Sequence, residues 1–337
     1  MGELKLFVSS LFLCFSVSAT YAQEILTATL QHGDELTVFQ GADGLKSAHS
    51  AAVDSDFIYL SPGTFNSTSI TKAVKIIGAG TEKNEQAGTG VTYINDYIYI
   101  SMPDTTHKGL VLEGLYFTRD FYINKPIKDA TIRKCRFPYA FDLTTSYNLR
   151  IEQCNIGTFS IASSSYNVVV SNTQADWVCM YSNSNNTANS TTSTLSFLNC
   201  YLANVHSNIT AFFLNNIIGS VYYYSNGWKY EYSLKSTCSA YNNLFLDGKG
   251  NTDNVIQKSG NMEASSENIF VEGTRRLTEE AAGEYLGQDG TQVGQYGGTT
   301  PYSTTPTYPQ IIENNIAAQS TADGILKVNL KVAAGSK

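Results

Sequence analysis

A short pattern of apolar and small residues recurs along the middle of the chain. In each of eight segments an apolar or small residue is followed three positions later by a mostly small or amide residue, and two positions after that usually by another apolar residue. The eight segments are Leu112, Leu115 and Phe117; Ile132, Cys135 and Phe137; Ile151, Cys154 and Ile156; Val170, Thr173 and Ala175; Phe197, Cys200 and Leu202; Phe213, Asn216 and Ile218; Ala240, Asn243 and Phe245; Ser265, Asn268 and Phe270. Because the repeat is near twenty residues long, rich in β-branched and aromatic residues and without a helical stripe, it predicts a coiled parallel sheet.

The middle position of the repeat predicts two kinds of stacking inside the coil. Its last three members are Asn216, Asn243 and Asn268, and an Asn tolerates the left-handed turn conformation while its amide can bond to a stacked copy. An asparagine ladder is therefore expected. Cys135 and Cys154 would lie on adjacent rungs, about 4.8 Å apart, so either stacked thiols or a disulfide fits there. No metal or other cofactor is predicted, because there is no CxxC and no zinc-like Cys/His spacing.

The chain outside the repeat divides into a leader and two end regions. Residues 1–22 read as a signal peptide, with Lys5 before an apolar run over 6–17 and a small-residue cleavage site ending at Ala22. That run is too short to span a membrane, which takes roughly 20 residues. We therefore expect an exported protein, extracellular, periplasmic or attached to the cell surface, without a membrane-spanning segment.

The remaining boundaries follow from the end of the pattern on each side. Residues 23–56 are predicted to be an N-terminal cap with a short helix whose Leu45, Ala48 and Ala52 share one face. The solenoid is predicted over 57–270, with a long loop over 183–193 and a protruding hairpin over 222–232. Residues 271–337 are predicted to be a C-terminal cap and tail, closed by an amphipathic strand over 326–332.

Composition narrows the classes of partner. Only 15% of the residues are charged, the net charge is −7, and no basic block is present. These features argue against nucleic acid and against anionic membranes. Tyr is the most abundant aromatic residue, with 22 copies, and tyrosine faces can stack on the apolar faces of sugar rings while their hydroxyls stay wet. A polysaccharide or surface glycan is the expected partner.

Two opening segments and the repeat together resemble a known superfamily. Residues 57–65 read FIYLSPGTF, residues 74–80 read VKIIGAG, and the rung pattern covers about 45–270. In these features the chain is similar to secreted bacterial right-handed parallel β-helix proteins of the pectin-lyase-like superfamily. The resemblance implies an all-β, single-stranded right-handed parallel β-helix with an N-terminal helix cap and a C-terminal strand cap. It implies no single activity, because some members cleave acidic polysaccharides and others are adhesins.

The catalytic motifs of the superfamily's enzymes are mostly missing. Polygalacturonase-like enzymes carry Asn-Thr-Asp, Asp-Asp, Gly-His-Gly and Arg-x-Lys, and this chain has only Asn-Thr-Asp at 251–253, inside a Gly-rich loop. The calcium-binding carboxylates of pectate-lyase-like enzymes have one weak counterpart, Asp54 and Asp56, which we interpret as a solvated turn. An enzyme is therefore not the first expectation.

Strand alternation predicts an outward row of side chains after each ladder position. The row holds Tyr122, Asp142, Ser160 and Cys179 and continues to His206 and Tyr222, with Asp120, Trp177, Tyr181 and Tyr224 two positions away. In enzymes of this superfamily the substrate lies along such a face. Asp120 and Asp142 are thus candidate catalytic carboxylates and His206 a candidate base, although all three also fit ordinary surface positions.

The predicted hairpin adds a second aromatic surface. Trp228, Tyr230 and Tyr232 alternate with Lys229 and Glu231, so they share one face that either contacts a ligand or packs on the solenoid. The candidate ligand-binding residues are Tyr122, Trp177, Tyr181, Tyr222, Tyr224, Trp228, Tyr230 and Tyr232. The first functional expectation is non-catalytic glycan binding or adhesion. The alternatives are a polysaccharide lyase or glycoside hydrolase acting in the same groove, and a structural extracellular protein; the oligomeric state stays open.

Overall fold

The chain folds into a parallel β-solenoid of about ten turns, as the repeat predicts. In this computed structural model the described residues are 26–83, 90–144, 146–162, 165–180, 194–225, 228–305, 307, 310–316, 323–325 and 328–333. The predicted signal peptide and the predicted 183–193 loop lie outside them. Two short helices, α1 (Gly44–Ala51) and α2 (Glu279–Glu284), flank the solenoid in sequence, and neither has the length or the apolar run needed to cross a bilayer.

The strands are short and numerous. In chain order they are β1 (Thr27–His32), β2 (Glu35–Gln40), β3 (Phe57–Leu60), β4 (Gly63–Asn66), β5 (Lys75–Ile77), β6 (Thr92–Asn95), β7 (Ile98–Ile100), β8 (Val111–Glu113), β9 (Tyr116–Phe117), β10 (Phe121–Ile123), β11 (Ile127–Lys128), β12 (Thr131–Arg133), β13 (Arg136–Leu143), β14 (Ser146–Glu152), β15 (Asn155–Ile161), β16 (Tyr166–Ser171), β17 (Gln174–Met180), β18 (Leu195–Leu198), β19 (Tyr201–Leu202), β20 (Val205–His206), β21 (Phe212–Leu214), β22 (Ile217–Ile218), β23 (Val221–Ser225), β24 (Trp228–Glu231), β25 (Ser239–Tyr241), β26 (Leu244–Leu246), β27 (Gln257–Ser259), β28 (Met262–Ala264), β29 (Gln310–Ile316) and β30 (Val328–Ala333).

Two long sheets form the walls of the solenoid. The first sheet has 13 strands and runs from β2 and β1 through β3, β5, β8, β12, β14, β16, β18, β21 and β25 to β27, with β11 beside β14. The second sheet has 15 strands and contains the other solenoid strands from β4 to β28. The strand predicted over 326–332 forms β30, which pairs antiparallel with β29 in a separate two-stranded sheet.

The register of the first sheet confirms seven of the eight predicted segments and corrects the last. Ile132 lies beside Leu112 and Ile151, and the series continues rung by rung to Ala240. Ala240 then pairs with Lys258, not with Ser265. The last rung carries Lys258 and Glu263 where earlier rungs carry apolar residues, because its outer side ends the sheet. The hydrophobic pattern therefore fails at the rung that no further rung covers.

The predicted asparagine ladder exists, with a different last member and a different turn residue. Asn216 donates its side-chain amide to the Oδ1 of Asn243 (2.9 Å), and Asn243 donates to the Oδ1 of Asn261 (3.0 Å). The prediction of Asn268 as the third member is wrong, because the last rung is 18 residues after Asn243 and not 25. The left-handed residues are those before the ladder position, among them Asn215 (φ 57°) and Asn242 (φ 51°).

The cysteines of the ladder position are free thiols. Cys135, Cys154 and Cys200 are buried and unbridged, so the alternative of a Cys135–Cys154 disulfide is not realised. Each thiol lies within hydrogen-bonding range of the carbonyl two residues before it, at 3.2 Å for Cys135, 3.4 Å for Cys154 and 3.3 Å for Cys200. These cysteines therefore fill space inside the coil, as small inward residues.

An antiparallel hairpin and α1 lie at the N-terminal end. β1 pairs with β2 on one side and with β3, the first solenoid strand, on the other. Leu45, Ala48 and Ala52 are buried in the main core, as their shared helix face predicts. Asp56 is also buried, and its carboxylate lies 2.8 Å from the His32 ring and accepts the Val53 amide. Asp56 is therefore a structural residue rather than part of a solvated turn.

The segment after the last rung returns along the side of the solenoid. Leu277, Ala281 and Val293 pack with Ile217 and Leu244 in a second apolar cluster. The chain then bonds successively to earlier rungs, at residues Asn215, Asn172, Gln153, Lys134 and Glu113. Residues 292–307, which we call the strap, thus cross about five turns in the direction opposite to the growth of the coil.

Candidate functional site

The register of the second sheet places the predicted outward residues in one row. Tyr122 lies beside Tyr99 on one side and Asp142 on the other, followed by Ser160 and Cys179. Beyond Cys179 the row continues through the pairing of His206 with Tyr222. The predicted row is therefore confirmed, and the structure adds Tyr99, which sequence reasoning missed because its rung precedes the eight-fold repeat.

The row stands on a column of buried aromatic rings. Phe121, Phe141 and Phe159 alternate with the outward residues and have no exposed surface. Neighbouring rings in this column lie 4.9 and 5.1 Å apart between centroids. Because a close-packed column leaves the backbone little freedom, it fixes the spacing of the outward side chains.

Three tyrosines, two of them exposed and one half-buried, form a stacked surface at the start of the row. The rings of Tyr99 and Tyr122 lie 5.3 Å apart and are nearly parallel, with an interplanar angle of 11°. Tyr97 stacks on Tyr122 at 6.2 Å and 30°. Tyr97 is 43% exposed and Tyr99 38% exposed. We call Tyr97, Tyr99 and Tyr122 the tyrosine ladder.

The first carboxylate, Asp120, fixes the orientation of the ladder. It accepts one hydrogen bond from the Tyr122 hydroxyl (3.0 Å) and one from the Ala140 backbone N–H (3.0 Å). Burial and the neighbouring carboxylates, Asp120 first and then Asp142, raise the pKa of Tyr122 to about 12. Tyr122 therefore stays a neutral phenol at physiological pH, and its hydroxyl is held toward Asp120.

The second carboxylate, Asp142, has a different environment. Partial burial raises its pKa above the ordinary 3.8, the nearby Asp120 raises it further, and a hydrogen bond from Ser160 opposes both effects. Asp120 and Asp142 lie one rung and two strand positions apart, which separates their Cα positions by roughly 8 Å. Both side chains lie on the same outward face, so their carboxyl groups are neighbours there.

Next along the row, Ser160 and Cys179 are coupled to Asp142. The Ser160 hydroxyl lies 3.6 Å from the Cys179 sulfur. Burial raises the pKa of the Cys179 thiol, so it stays protonated and is a poor nucleophile at neutral pH. These two residues therefore extend the polar floor of the row and do not form a nucleophilic pair.

The far half of the row is covered. Tyr222, predicted as a ligand contact, is only 2% exposed, and its ring packs edge-on against Trp177 (5.3 Å) and His206 (5.1 Å). The Lys229 ammonium lies 5.1 Å from the Trp177 ring centroid and 5.0 Å from that of Tyr222. The prediction for Tyr222 is therefore wrong, because a hairpin residue closes over this outward position.

His206 has the environment of a packed side chain. Burial lowers its pKa below the ordinary 6.5, and its Nδ1 accepts the Asn208 backbone N–H (3.1 Å). It shares the covered half with Trp177 and Tyr222, three rungs from Asp142. The structure thus brings Asp120 and Asp142 together and leaves His206 apart from them.

The predicted protruding hairpin is formed by β23 and β24, which pair antiparallel. Tyr223 stacks on its cross-strand partner Tyr230 (5.2 Å, 22°) and meets Tyr232 edge-on (5.1 Å). Tyr230 and Tyr232 are exposed, whereas Lys229, on the other face, reaches the solenoid. The prediction for Tyr181, and those for the side chains of Tyr224 and Trp228, lie outside what the structure describes.

Two cavities lie on the other side of the molecule, where sequence reasoning places no site. One of about 630 Å³ is lined by outward residues of the first sheet, including Thr131, Arg150 and Glu152. A second, of about 420 Å³, lies between Arg133, Lys134 and the strap. Within the described residues, no group of three or more His, Cys, Asp or Glu side chains is placed to hold a metal ion.

The class of protein is defined by fold rather than by relatives. No family model, curated protein or solved structure matches this chain. The molecule is a parallel β-solenoid with a stacked tyrosine surface and two carboxylates on one outward row.

Proposed function

We propose that the protein binds a glycan along the open half of the outward row, with the tyrosine ladder as the stacking surface. The observation that carries this proposal is the nearly parallel stacking of the exposed Tyr99 on the half-buried Tyr122, joined by the exposed Tyr97. Tyrosine rings of this kind offer an apolar face to a sugar ring and keep their hydroxyls in water. An exported protein, as residues 1–22 predict, would meet such glycans outside the cell.

The charges beside the ladder select the kind of glycan. Asp120 and Asp142 place two carboxyl groups within one rung of Tyr122. Acidic polymers would be repelled there, because like charges at short range oppose binding. A neutral glycan, or one with amino sugars, fits this surface, and hydroxyl or ammonium groups could donate to the two carboxylates.

A glycan array with the purified mature protein tests the proposal, followed by affinity measurements on variants. Tyr99→Ala and Tyr122→Ala should each weaken binding of an array hit by roughly 2- to 13-fold, the equivalent of about 0.5–1.5 kcal/mol per aromatic contact. Tyr147→Ala and Tyr166→Ala provide matched controls, since these exposed tyrosines are neighbours on adjacent rungs of the first sheet. Equal losses in both pairs would contradict the proposal.

The hairpin offers a second place for contact with the same glycan. Tyr230 and Tyr232 are exposed on the face away from Lys229. If a long glycan reaches this hairpin, Tyr230→Ala weakens binding of long oligosaccharides and leaves short ones unaffected. Unchanged affinity at every length would confine the site to the tyrosine ladder.

Glycoside hydrolysis is the second candidate function. It is favoured by the carboxyl pair, because Asp142 has a raised pKa, as a general acid needs, and Asp120 already accepts two hydrogen bonds. In this reading Asp142 protonates the leaving oxygen and Asp120 activates water. Release of reducing ends from an array hit, abolished by Asp142→Asn and by Asp120→Asn, would establish it. Binding of the hit without cleavage would leave the non-catalytic proposal standing.

A further inference from the structure

The N-terminal edge of the first sheet ends in an exposed strand. In the part of the chain that the structure describes, β2 pairs only with β1 and forms the outer edge of the 13-stranded sheet. Leu36 is 65% exposed and Val38 55% exposed. The stretch from residue 36 to 39 contains no charge and no proline, so nothing in its sequence opposes pairing with another strand.

The opposite end of the solenoid differs in this respect. Its last strands, β27 and β28, are three residues long, and each carries a charge at its centre, Lys258 in one and Glu263 in the other. Short edge strands with central charges resist edge-to-edge association. Within the described ranges, the N-terminal end alone presents a six-residue edge with exposed apolar side chains.

The hairpin geometry shows which backbone groups of β2 are open. His32 and Glu35 flank a two-residue turn and form a pair, so Glu35, Thr37 and Phe39 direct their backbone groups toward β1. The Gly41 N–H follows the same alternation, because it donates to the Leu26 carbonyl. The N–H and C=O groups of Leu36 and Val38 therefore point away from β1.

We propose that this edge binds a second copy of the chain, with the two β2 strands antiparallel about a two-fold axis at Thr37. Thr37 then lies opposite Thr37 of the second copy, and Leu36 lies opposite Val38 in both directions. All open backbone groups of Leu36 and Val38 are paired, and each apolar side chain gains an apolar cross-strand partner. Such an isologous contact closes at two copies.

The two neighbouring registers of the β2–β2 pair give the apolar side chains polar or charged cross-strand partners. An axis at Leu36 places Val38 opposite Asp34, and an axis at Val38 places Leu36 opposite Gln40. The axis at Thr37 places Glu35 opposite Phe39, so no like charges meet. Because two six-residue strands bury less than the roughly 1,200 Å² of a standard interface, the dimer is expected to be weak and concentration-dependent.

Disulfide trapping tests the contact and its register together. A non-hydrogen-bonded antiparallel pair has Cα atoms about 4.5 Å apart, within disulfide range. In a Cys179→Ser background, which removes the one cysteine that is partly exposed among the described residues, Thr37→Cys should give a covalent dimer on mild oxidation. Leu36→Cys and Val38→Cys should give no covalent dimer, because in this register Leu36 lies opposite Val38 of the second copy and neither residue lies opposite itself. Absence of the Thr37→Cys dimer, or equal cross-linking of all three variants, would overturn the proposal.

Sedimentation equilibrium of the mature protein provides a test without cysteines. The unmodified chain should show a concentration-dependent monomer–dimer equilibrium, and Val38→Pro should be monomeric. The proline removes an N–H that points away from β1, so the hairpin itself is retained. Val38→Thr, which keeps the N–H and the β-branched shape, should retain the dimer. A wild-type monomer at all concentrations, or a Val38→Pro dimer, would contradict the inference.

Discussion

The two halves of the outward row have the same backbone geometry and opposite surroundings. In the open half, Tyr99, Tyr122 and Asp142 lie on neighbouring strands with their side chains at the surface. In the covered half, His206 and Tyr222 occupy the same register and are closed over by the hairpin. An outward position in a solenoid thus becomes a binding position only if the loops beside it leave it open.

The far half of the row is covered by a lysine ammonium group that lies over two aromatic rings. Lys229 lies over both Trp177 and Tyr222 and donates to the Asn204 side chain (2.6 Å). Burial lowers the pKa of Lys229, and the two ring faces partly replace its hydration. In the open half the corresponding neighbours are carboxylates, which can accept hydrogen bonds from a ligand. The same row is therefore packed at one end and open at the other, where we propose that the glycan binds.

The largest contrast is expected from removing one tyrosine in each half. Tyr222→Ala should lower the free energy of unfolding by about 3 kcal/mol, because it empties a buried aromatic position, and should leave glycan affinity unchanged. Tyr122→Ala should weaken glycan binding and lower the free energy of unfolding by only about 1 kcal/mol. Urea denaturation and the affinity assay measure both. Similar stability losses for the two variants would remove the distinction between the halves.

A smaller effect is expected from opening the cover. Lys229→Ala should lower the free energy of unfolding by about 1 kcal/mol, since it removes two cation–π contacts and one hydrogen bond. Trp177 should then become more accessible to acrylamide, measured by fluorescence quenching in a Trp228→Phe background so that one tryptophan reports. The exposed Lys125→Ala is the control. Unchanged quenching in Lys229→Ala would show that other hairpin contacts hold the cover.

The fold was predictable because every turn of the solenoid requires the same types of residue at the same positions. Each turn needs an inward apolar residue and a small or stackable residue at the ladder position, and Ile132, Cys154 and Asn216 meet those needs at regular spacing. The last rung was misplaced because its end is uncovered, so Lys258 and Glu263 replace apolar residues there. Periodicity therefore predicts interior rungs better than terminal ones.

The candidate site was only half predictable for a related reason. Strand alternation identifies Tyr122 and Asp142 as outward neighbours, and the structure confirms their register. Alternation carries no information on the packing that covers Tyr222, because Trp177 lies on an earlier turn and Lys229 on the antiparallel strand of the hairpin. Tyr99 was missed since its rung lies outside the repeat. Long-range packing, not local pattern, decides exposure.

The smallest effects are expected from pH, with opposite signs in the two halves. The raised pKa of Asp142 means that the folded state binds a proton more readily than the unfolded state, so this group's contribution to stability decreases as pH rises above about 3.8. The lowered pKa of His206 means that the unfolded state binds the proton more readily, so stability decreases as pH falls below about 6.5.

Both contributions should be small, because both side chains are partly solvated and their charges are screened. NMR titration measures the two groups directly: the Asp142 carboxyl should titrate above 3.8 and the His206 ring below 6.5. Asp120→Asn should lower the Asp142 midpoint, since it removes the neighbouring negative charge, and should leave His206 unchanged. If Asp120→Asn shifted the titration midpoints of both Asp142 and His206, the open and covered halves would be electrostatically coupled. That result would contradict the distinction between the two halves.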